Sequence, residues 1–487
     1  MRRAAVASSL LSLVAASLLA GCPDRSISEV TPIQGRVEAK DIPVTVNRDV
    51  DLLFLIDDSP SMADKQANLA ANFSKFIDVI KIEGDLPNVH IAVVTSDMGT
   101  HGANGTVAAG IGTLMQGGCA NLGKNGAMQL FNAPVRDTPF IKDILLPDGT
   151  REKNYDGDLA AAFGKMATGA GAGGCGFEQH LEAMKHALSP GAGGNPTNAG
   201  FLREKAFLAV VFIADEDDCS MQDTVKMLAA EADNPSYGPQ QSFRCTRFGV
   251  TCDEGGTTPA EMNVIGPKDK CHPSADATNL TDVKSYVDFL KSLKPDDPGK
   301  IIVAGIMGVT SPVAVELRLP PRATVKIPAL AHSCTYIDVA NKPEVADPPI
   351  RLKFFLDQFP NRSTFATICQ NDLSGGLQQI GELLKTVIGN PCIEGKLADV
   401  DPSTPEPDFD CSVSSVTDAN LPTRTETIMA RCPNGGGSPS DPPCWELLID
   451  EANCPMSDHY TLKVERQDTL PTDTHVIANC VTEVTNN

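Results

Sequence analysis

The chain has 487 residues and a formal net charge of −22 at pH 7, with 62 acidic against 40 basic side chains. So acidic a surface excludes nucleic acid as a partner, because phosphate binding needs a basic face, and it equally argues against electrostatic docking on anionic lipid. The length exceeds one ordinary domain, so two domains or one heavily inserted domain are expected.

Residues 1–21 read as a secretory signal: Arg2 and Arg3 precede an apolar stretch from Leu10 to Ala20 that is too short for a stable membrane span. Its end, Leu19-Ala20-Gly21-Cys22, resembles the lipobox of bacterial lipoproteins. That resemblance implies that Cys22 is acylated, becomes the mature N-terminus and anchors an extracytoplasmic protein to a bacterial membrane, facing the periplasm or the cell surface. Residues 22–45, poor in apolar side chains, read as a tether. Of the 15 cysteines, setting Cys22 aside leaves an even number, as expected for a fully paired disulfide set in an oxidising compartment. No C-x-x-C spacing occurs, which argues against metal binding by cysteine. Pairing of sequence neighbours gives Cys119–Cys175, Cys432–Cys444 and Cys454–Cys480.

Strand-like and helix-like patterns alternate from Val50 onward. "VDLLFLI" is a continuous apolar run, the mark of a strand covered on both faces. A helix follows, with Leu69, Phe73, Phe76, Ile77 and Ile80 on one face, and "NVHIAVVTSD" gives a second strand. Residues 98–175, rich in Gly and Ala, read as a long excursion. A helix returns at "FEQHLEAMKHAL", and "KAFLAVVFIADEDD" is a third apolar strand that ends in acid. Residues 219–279 hold four cysteines among many Gly and Pro and read as a disulfide-pinned insertion. "TDVKSYVDFLKSL" is a helix with Thr281 as candidate cap, "KIIVAGIMG" a fourth strand, and residues 310–368 a Pro-rich insertion. Leu373, Leu377, Ile380 and Leu384 line a last helix, stopped by Gly389 and Pro391. The expected fold is α/β: a doubly wound, mostly parallel sheet over residues 46–390. Residues 391–487, with six cysteines and short alternating runs, read as a small Cys-rich β module whose core holds Trp445, the only tryptophan.

Two of the four strands end in acidic residues, Asp57-Asp58-Ser59-Pro60-Ser61 and Asp215-Glu216-Asp217-Asp218. In a doubly wound sheet ligands sit at the carboxyl ends of the strands. Two readings of "DDSPS" are open: Asp and Ser cap the next helix, or Asp57, Ser59 and Ser61 converge on a hard cation such as Mg²⁺, Mn²⁺ or Ca²⁺, which oxygen-only ligands suit. Capping does not explain a second acidic strand end at the same edge. The remaining acids, Glu216-Asp217-Asp218, read as a solvated loop, and His180 and His186 as surface residues, since they lack the spacing and Glu of a zinc hydrolase. Neither "FGKMAT" nor "LGKNG" has phosphate-loop spacing, and "DSPS" lacks nucleophile-elbow glycines.

Asp57-x-Ser59-x-Ser61 directly after a strand resembles the D-x-S-x-S motif of von Willebrand factor type A domains, and "VVFIAD" resembles the later strand of that family, whose terminal Asp matches Asp215. The resemblance covers residues 46–390, with the surplus length in the excursions. It implies a metal-ion-dependent adhesion site. There both serines, Asp215 and, through water, Asp57 hold a divalent cation, Mg²⁺ foremost, and an Asp or Glu of a protein ligand takes an open position. No bond chemistry is implied. One departure stands out: the family's Thr before a helix has no counterpart in "GAGGCGFEQHLEAM". One alignment places Glu178 there and another Cys175. A neutral Thr leaves the cation short of negative charge and receptive to an outside carboxylate, whereas Glu178 as a ligand would make the metal structural. The alternative function is therefore a structural envelope protein with a closed site, its contacts made by the C-terminal module.

Overall fold

The computed structural model describes residues 36–43 and 48–483, apart from 82–85, 147, 190, 192–193, 296–297, 321–323, 390–391, 394, 402, 404–406, 418–422, 434–442, 450–453, 455–457 and 466–474. The signal segment and Cys22 lie outside the described residues. Among the described residues no helix is long and apolar enough to cross a membrane.

The fold is mixed α/β around a parallel-rich sheet of seven strands. Their spatial order is Ser363–Thr367, Ile301–Met307, Phe207–Ile213, Asp49–Ile56, Asn88–Thr95, Ile141–Leu145 and Arg151–Lys153. The first five run parallel, and the last two are joined by antiparallel pairing, Ile141–Leu145 running against both its neighbours. Apolar runs at Leu52–Ile56 and Leu208–Ile213 are buried throughout because helices cover both faces. On one face pack the helices Ala63–Val79, Leu159–Gly169 and Ser374–Gly389; on the other lie His180–Leu188, Val283–Ser292 and Ile350–Asp357.

Several segments carry more structure than their composition suggests. The Gly- and Ala-rich 98–175 excursion supplies the two antiparallel-paired strands and the Leu159–Gly169 helix, whose Phe163 stacks on Phe73 and lies 4.7 Å from Phe54 between ring centroids. The 310–368 insertion supplies the fifth parallel strand, Ser363–Thr367, and the Ile350–Asp357 helix. Thr281 is not the helix cap: Asp282 is, accepting from the Lys284 N–H, while Thr281 Oγ1 donates to Gln222.

Residues 36–43, within the expected tether, form a strand paired antiparallel with His475–Thr482 from Arg36↔Thr482 to Pro43↔His475. They complete a six-stranded sheet with the C-terminal strands. Trp445 is buried there, its indole N–H donating to the Met429 carbonyl. Seven disulfides join all fourteen described cysteines, Cys119–Cys175 and Cys432–Cys444 among them. The expected Cys454–Cys480 bridge does not form. Cys480 stands directly opposite Cys411 on a neighbouring antiparallel strand, with Cα atoms 4.1 Å apart, and Cys454 pairs with Cys392.

The aromatic cluster allows a test of whether the excursion belongs to the core. Phe163→Ala removes a fully buried ring and should lower unfolding stability by about 3–5 kcal/mol, the usual cost of a large-to-small core change. Denaturant melts followed by circular dichroism would show it; a loss below 1 kcal/mol would mean the Leu159–Gly169 helix is dispensable to the sheet.

Candidate metal centre

Strand order places the centre. From Asp49–Ile56 the chain moves to one side for Asn88–Thr95, then returns to the other side for Phe207–Ile213 and onward. The direction reverses between Asp49–Ile56 and Phe207–Ile213, and at such a point the two loops leave in opposite directions and open a crevice beyond the carboxyl ends. Asp57 and Asp215 are the residues at those ends. The Asp57 N–H still donates to the Ile213 carbonyl at 2.9 Å, so the ladder runs to the lip of the crevice.

Helix capping does not account for "DDSPS". The Ala63–Val79 helix begins at Met62, which makes no side-chain cap bond. Ser59 Oγ and Ser61 Oγ instead lie 3.0 Å apart, and Ser61 Oγ donates to Asp215 Oδ1 at 3.2 Å. Asp57 Oδ1 accepts from the Ser59 N–H at 2.7 Å, which curls the turn so that both hydroxyls face the second strand end. Asp57, Ser59, Ser61 and Asp215 are thus brought together. Asp57 Oδ2 is buried without a hydrogen-bond partner. Two hydroxyls, two carboxylates and one orphaned buried oxygen are a donor set that fits a hard divalent cation with its water. Carboxylates alone make no cage: among the described residues the acid, His and Cys ligand atoms that cluster within 4.8 Å in threes are Cys432, Cys444 and Glu465, and those cysteines are tied in a disulfide.

Two cations brace the turn, Lys65 buried and Lys124 partly exposed. Lys65, 1% exposed, sits 3.2 Å from Asp215 Oδ2 and donates to the Ser61 carbonyl at 3.0 Å. Lys124 pairs with Asp58 Oδ2 at 2.5 Å. The glycine loop before Glu178 closes over the turn, the Gly174 N–H donating to the Asp58 carbonyl at 2.7 Å. A Cβ on Gly174 would come within 2.4 Å of Asp58 Cγ, so no larger residue fits. Lys65 and Lys124 escaped the sequence reading; Lys65, one helical turn after Ser61, was the legible one.

Glu178 is buried beside Glu216 and Asp57, and its Oε1 has no hydrogen-bond partner. It makes no hydrogen bond to the serines or to Asp215, so it flanks the centre. Cys175 is spent in the disulfide to Cys119 and offers no thiolate. Thr168 bonds the Gly164 carbonyl of its own helix. His180 is not a surface residue: it is fully buried, with Nε2 3.8 Å from Asp57 Oδ2. His186 is partly buried, its Nε2 3.2 Å from Glu182 Oε1. Nor is Glu216-Asp217-Asp218 a solvated loop. Asp217 accepts from the Arg351 and Leu352 N–H groups, and Asp218 accepts from the Leu181 N–H and pairs with Arg351. Both cap helices whose own N-cap residues make no side-chain bond. Those partners lie far along the chain, which is why no local pattern betrays them.

Burial dominates the electrostatics. It pushes Asp215 up to about 7, with the Asp57 charge adding and Lys65 opposing. Glu216 rises to about 8 through burial and the Asp215 charge. Asp58 rises to about 7 through burial, against Lys124. Glu178 stands well above the usual carboxylate range, from burial and then Glu216 and Asp57.

No protein-family model matches the sequence, and no curated protein matches it. Solved structures that it resembles include the pilus adhesin RrgA from Streptococcus pneumoniae, at 11% identity and a TM-score of 0.28, covering 94% of this chain and 60% of that one. Another is the pilus adhesin SpaC from Lactobacillus rhamnosus GG in its open conformation, at 10% identity and a TM-score of 0.26, covering 93% of this chain and 44% of that one. The chain thus spans less than two thirds of the length of either.

The raised carboxyls fix the sign of a pH effect. Each keeps its proton to higher pH when folded than when unfolded, so without a cation its contribution to stability is full at low pH and lost as pH rises through 7 to 8. A cation bound at the centre would take the place of the proton on Asp215. Melting temperature in chelator should fall from pH 5 to pH 8, and Mg²⁺ should flatten the fall. Calorimetric titration of Mg²⁺ in two buffers of different ionisation enthalpy should reveal proton release on binding near pH 6.5; equal heats in both would contradict it.

Proposed function

We propose that the protein is a metal-dependent recognition module of the von Willebrand factor type A kind, held at a bacterial envelope through acylated Cys22 and performing no bond chemistry. The observation that carries this reading is the Ser59–Ser61–Asp215 chain of oxygens at the point where strand order reverses, made by serines that cap no helix. In this reading both hydroxyls and Asp215 hold a divalent cation, Mg²⁺ foremost, and Asp57 holds one of its waters. The cation would supply an electrophilic position for an Asp or Glu of a protein ligand. The chain's own part is to keep the oxygens in place. The Ser59 N–H fixes the Asp57 carboxylate, Lys65 fixes Asp215, and the Gly174 loop shuts out water behind Asp58.

A second reading has an observation of its own. Glu178 brings another carboxylate to the flank of Asp57 with one oxygen unsatisfied. If it swings onto the cation the position is closed, the metal is structural, and partner contacts fall to the C-terminal sheet.

Titration of Mg²⁺, Mn²⁺ and Ca²⁺ into the protein, beside Asp57→Ala and Glu178→Thr, separates the two. On the adhesion reading Asp57→Ala weakens binding by about 10–100-fold, Glu178→Thr retains it, and bound Mn²⁺ enhances water proton relaxation through an exchangeable water. Loss in both variants, or bound Mn²⁺ with no relaxation enhancement, selects the structural reading. No binding in the parent protein refutes both.

A further inference from the structure

Beside the centre, on the far side of Glu178, a cleft of about 310 Å³ opens between the acidic strand end and the strands that follow. Its walls carry Glu178, Glu216, Asp217, Asp218 and Asp347. Three of these are already engaged. Asp217 and Asp218 hold helix N-termini and Arg351, and Asp347 Oδ1 holds His332 Nδ1 at 2.6 Å. Glu178 and Glu216 are held by no cation: among the described residues neither pairs with a Lys, Arg or His, and the two carboxyls contact each other, which raises the proton affinity of Glu178 and lowers that of Glu216. Glu178 is 2% exposed and its Oε1 is orphaned. A buried carboxyl without a partner costs free energy unless a ligand satisfies it.

The chemistry of that ligand follows from geometry. No three acidic residues here bring ligand oxygens within 4.8 Å of one another among the described residues, so a metal ion would find too few ligands in the cleft. A guanidinium is wider. It is planar, carries five N–H donors in a fork, and can satisfy two carboxyls that are too few to complete a metal's shell. The other walls suit its stem, since Phe177, Phe243, Pro320 and Leu330 supply apolar surface. Arg318, also at the wall, does not fill the role: its guanidinium donates to Glu316 Oε1 at 2.9 Å and to the Leu330 carbonyl at 2.6 Å. We propose that this cleft is a pocket for an arginine side chain of a partner protein, recognised by Glu178 and Glu216. It does not depend on the metal centre, although the two share the Glu178 wall, so a partner presenting an acidic and a basic side chain would engage both.

The probe is N-acetyl-arginine amide, titrated calorimetrically into the full-length protein in EDTA at pH 8, beside the neutral isostere N-acetyl-citrulline amide. Saturable binding of the arginine derivative is expected, with the citrulline derivative about tenfold weaker, in line with the strength of charge-assisted bonds. Glu216→Gln should cost a similar factor without lowering the melting temperature, and Mg²⁺ should change affinity by less than about twofold. Equal affinity for the two derivatives would make the cleft merely apolar. Competitive displacement of arginine by Mg²⁺ would make it a cation site. Absence of saturation, or an undiminished Glu216→Gln whose melt shows it folded, would equally overturn the proposal. Because the arm in EDTA contains no metal, its failure is independent of failure at Asp57.

Discussion

The arrangement depends on one constraint: a parallel sheet that changes direction between two neighbouring strands puts both strand ends in the same dry place, and here both ends are carboxylates. Asp57 is fully buried and Asp215 2% exposed, on strands hydrogen-bonded from Val50↔Phe207 to Ile56↔Ile213. Neither can move away without breaking the ladder that buries the central apolar runs. The sheet therefore holds like charges close together in low dielectric, where repulsion is weakly screened. Everything around the crevice serves that condition. Lys65 and Lys124 enter from a helix and a loop, the Ser59 N–H holds one Asp57 oxygen, and the acidic groups that remain take up protons.

The same constraint explains what sequence could and could not disclose. The four central strands were legible because burial on both faces demands uninterrupted apolar runs, and the centre was legible because D-x-S-x-S and the Asp215 strand end are local patterns at a predictable edge. Ser363–Thr367 was not legible: it is an edge strand, half-buried along its length, so "STFAT" carries no continuous apolar signal. Arg36–Pro43 pairs with a strand more than four hundred residues away in sequence, and its register is set by that partner. Phe163 sits in a helix otherwise rich in Ala and Gly, so one large ring gave no periodicity. The roles of Asp217 and Asp218 depend on N–H groups from two distant helices. Capping in trans follows from tertiary packing and leaves no mark in the neighbouring residues.

Disulfides show the limit in another way. Cys119–Cys175 and Cys432–Cys444 follow sequence proximity because each closes a local excursion. Cys411–Cys480 follows strand register, which puts the two cysteines opposite each other across a ladder built from segments 69 residues apart. The more distant pair is thus determined by the sheet, and the closer candidate, Cys454, is displaced to Cys392.

Glu178 is where the charge argument becomes functional. A hydroxyl in its place would leave the centre with the charges of Asp57 and Asp215, one of them already offset by Lys65. The carboxyl adds a further acid, its proton affinity raised by burial and by Glu216, to a flank with no paired Lys or Arg, so the demand for a cation extends from the serine side of the crevice into the adjoining cleft. A small hard ion would answer the deficit on the serine side, where hydroxyls and carboxylates converge. It would answer poorly in the cleft, where two unpaired carboxyls are too few to complete its shell, and there an extended organic cation has the advantage. One misplaced acid, relative to the hydroxyl that the motif leads one to expect, therefore gives a single acidic wall two faces with different chemical preferences.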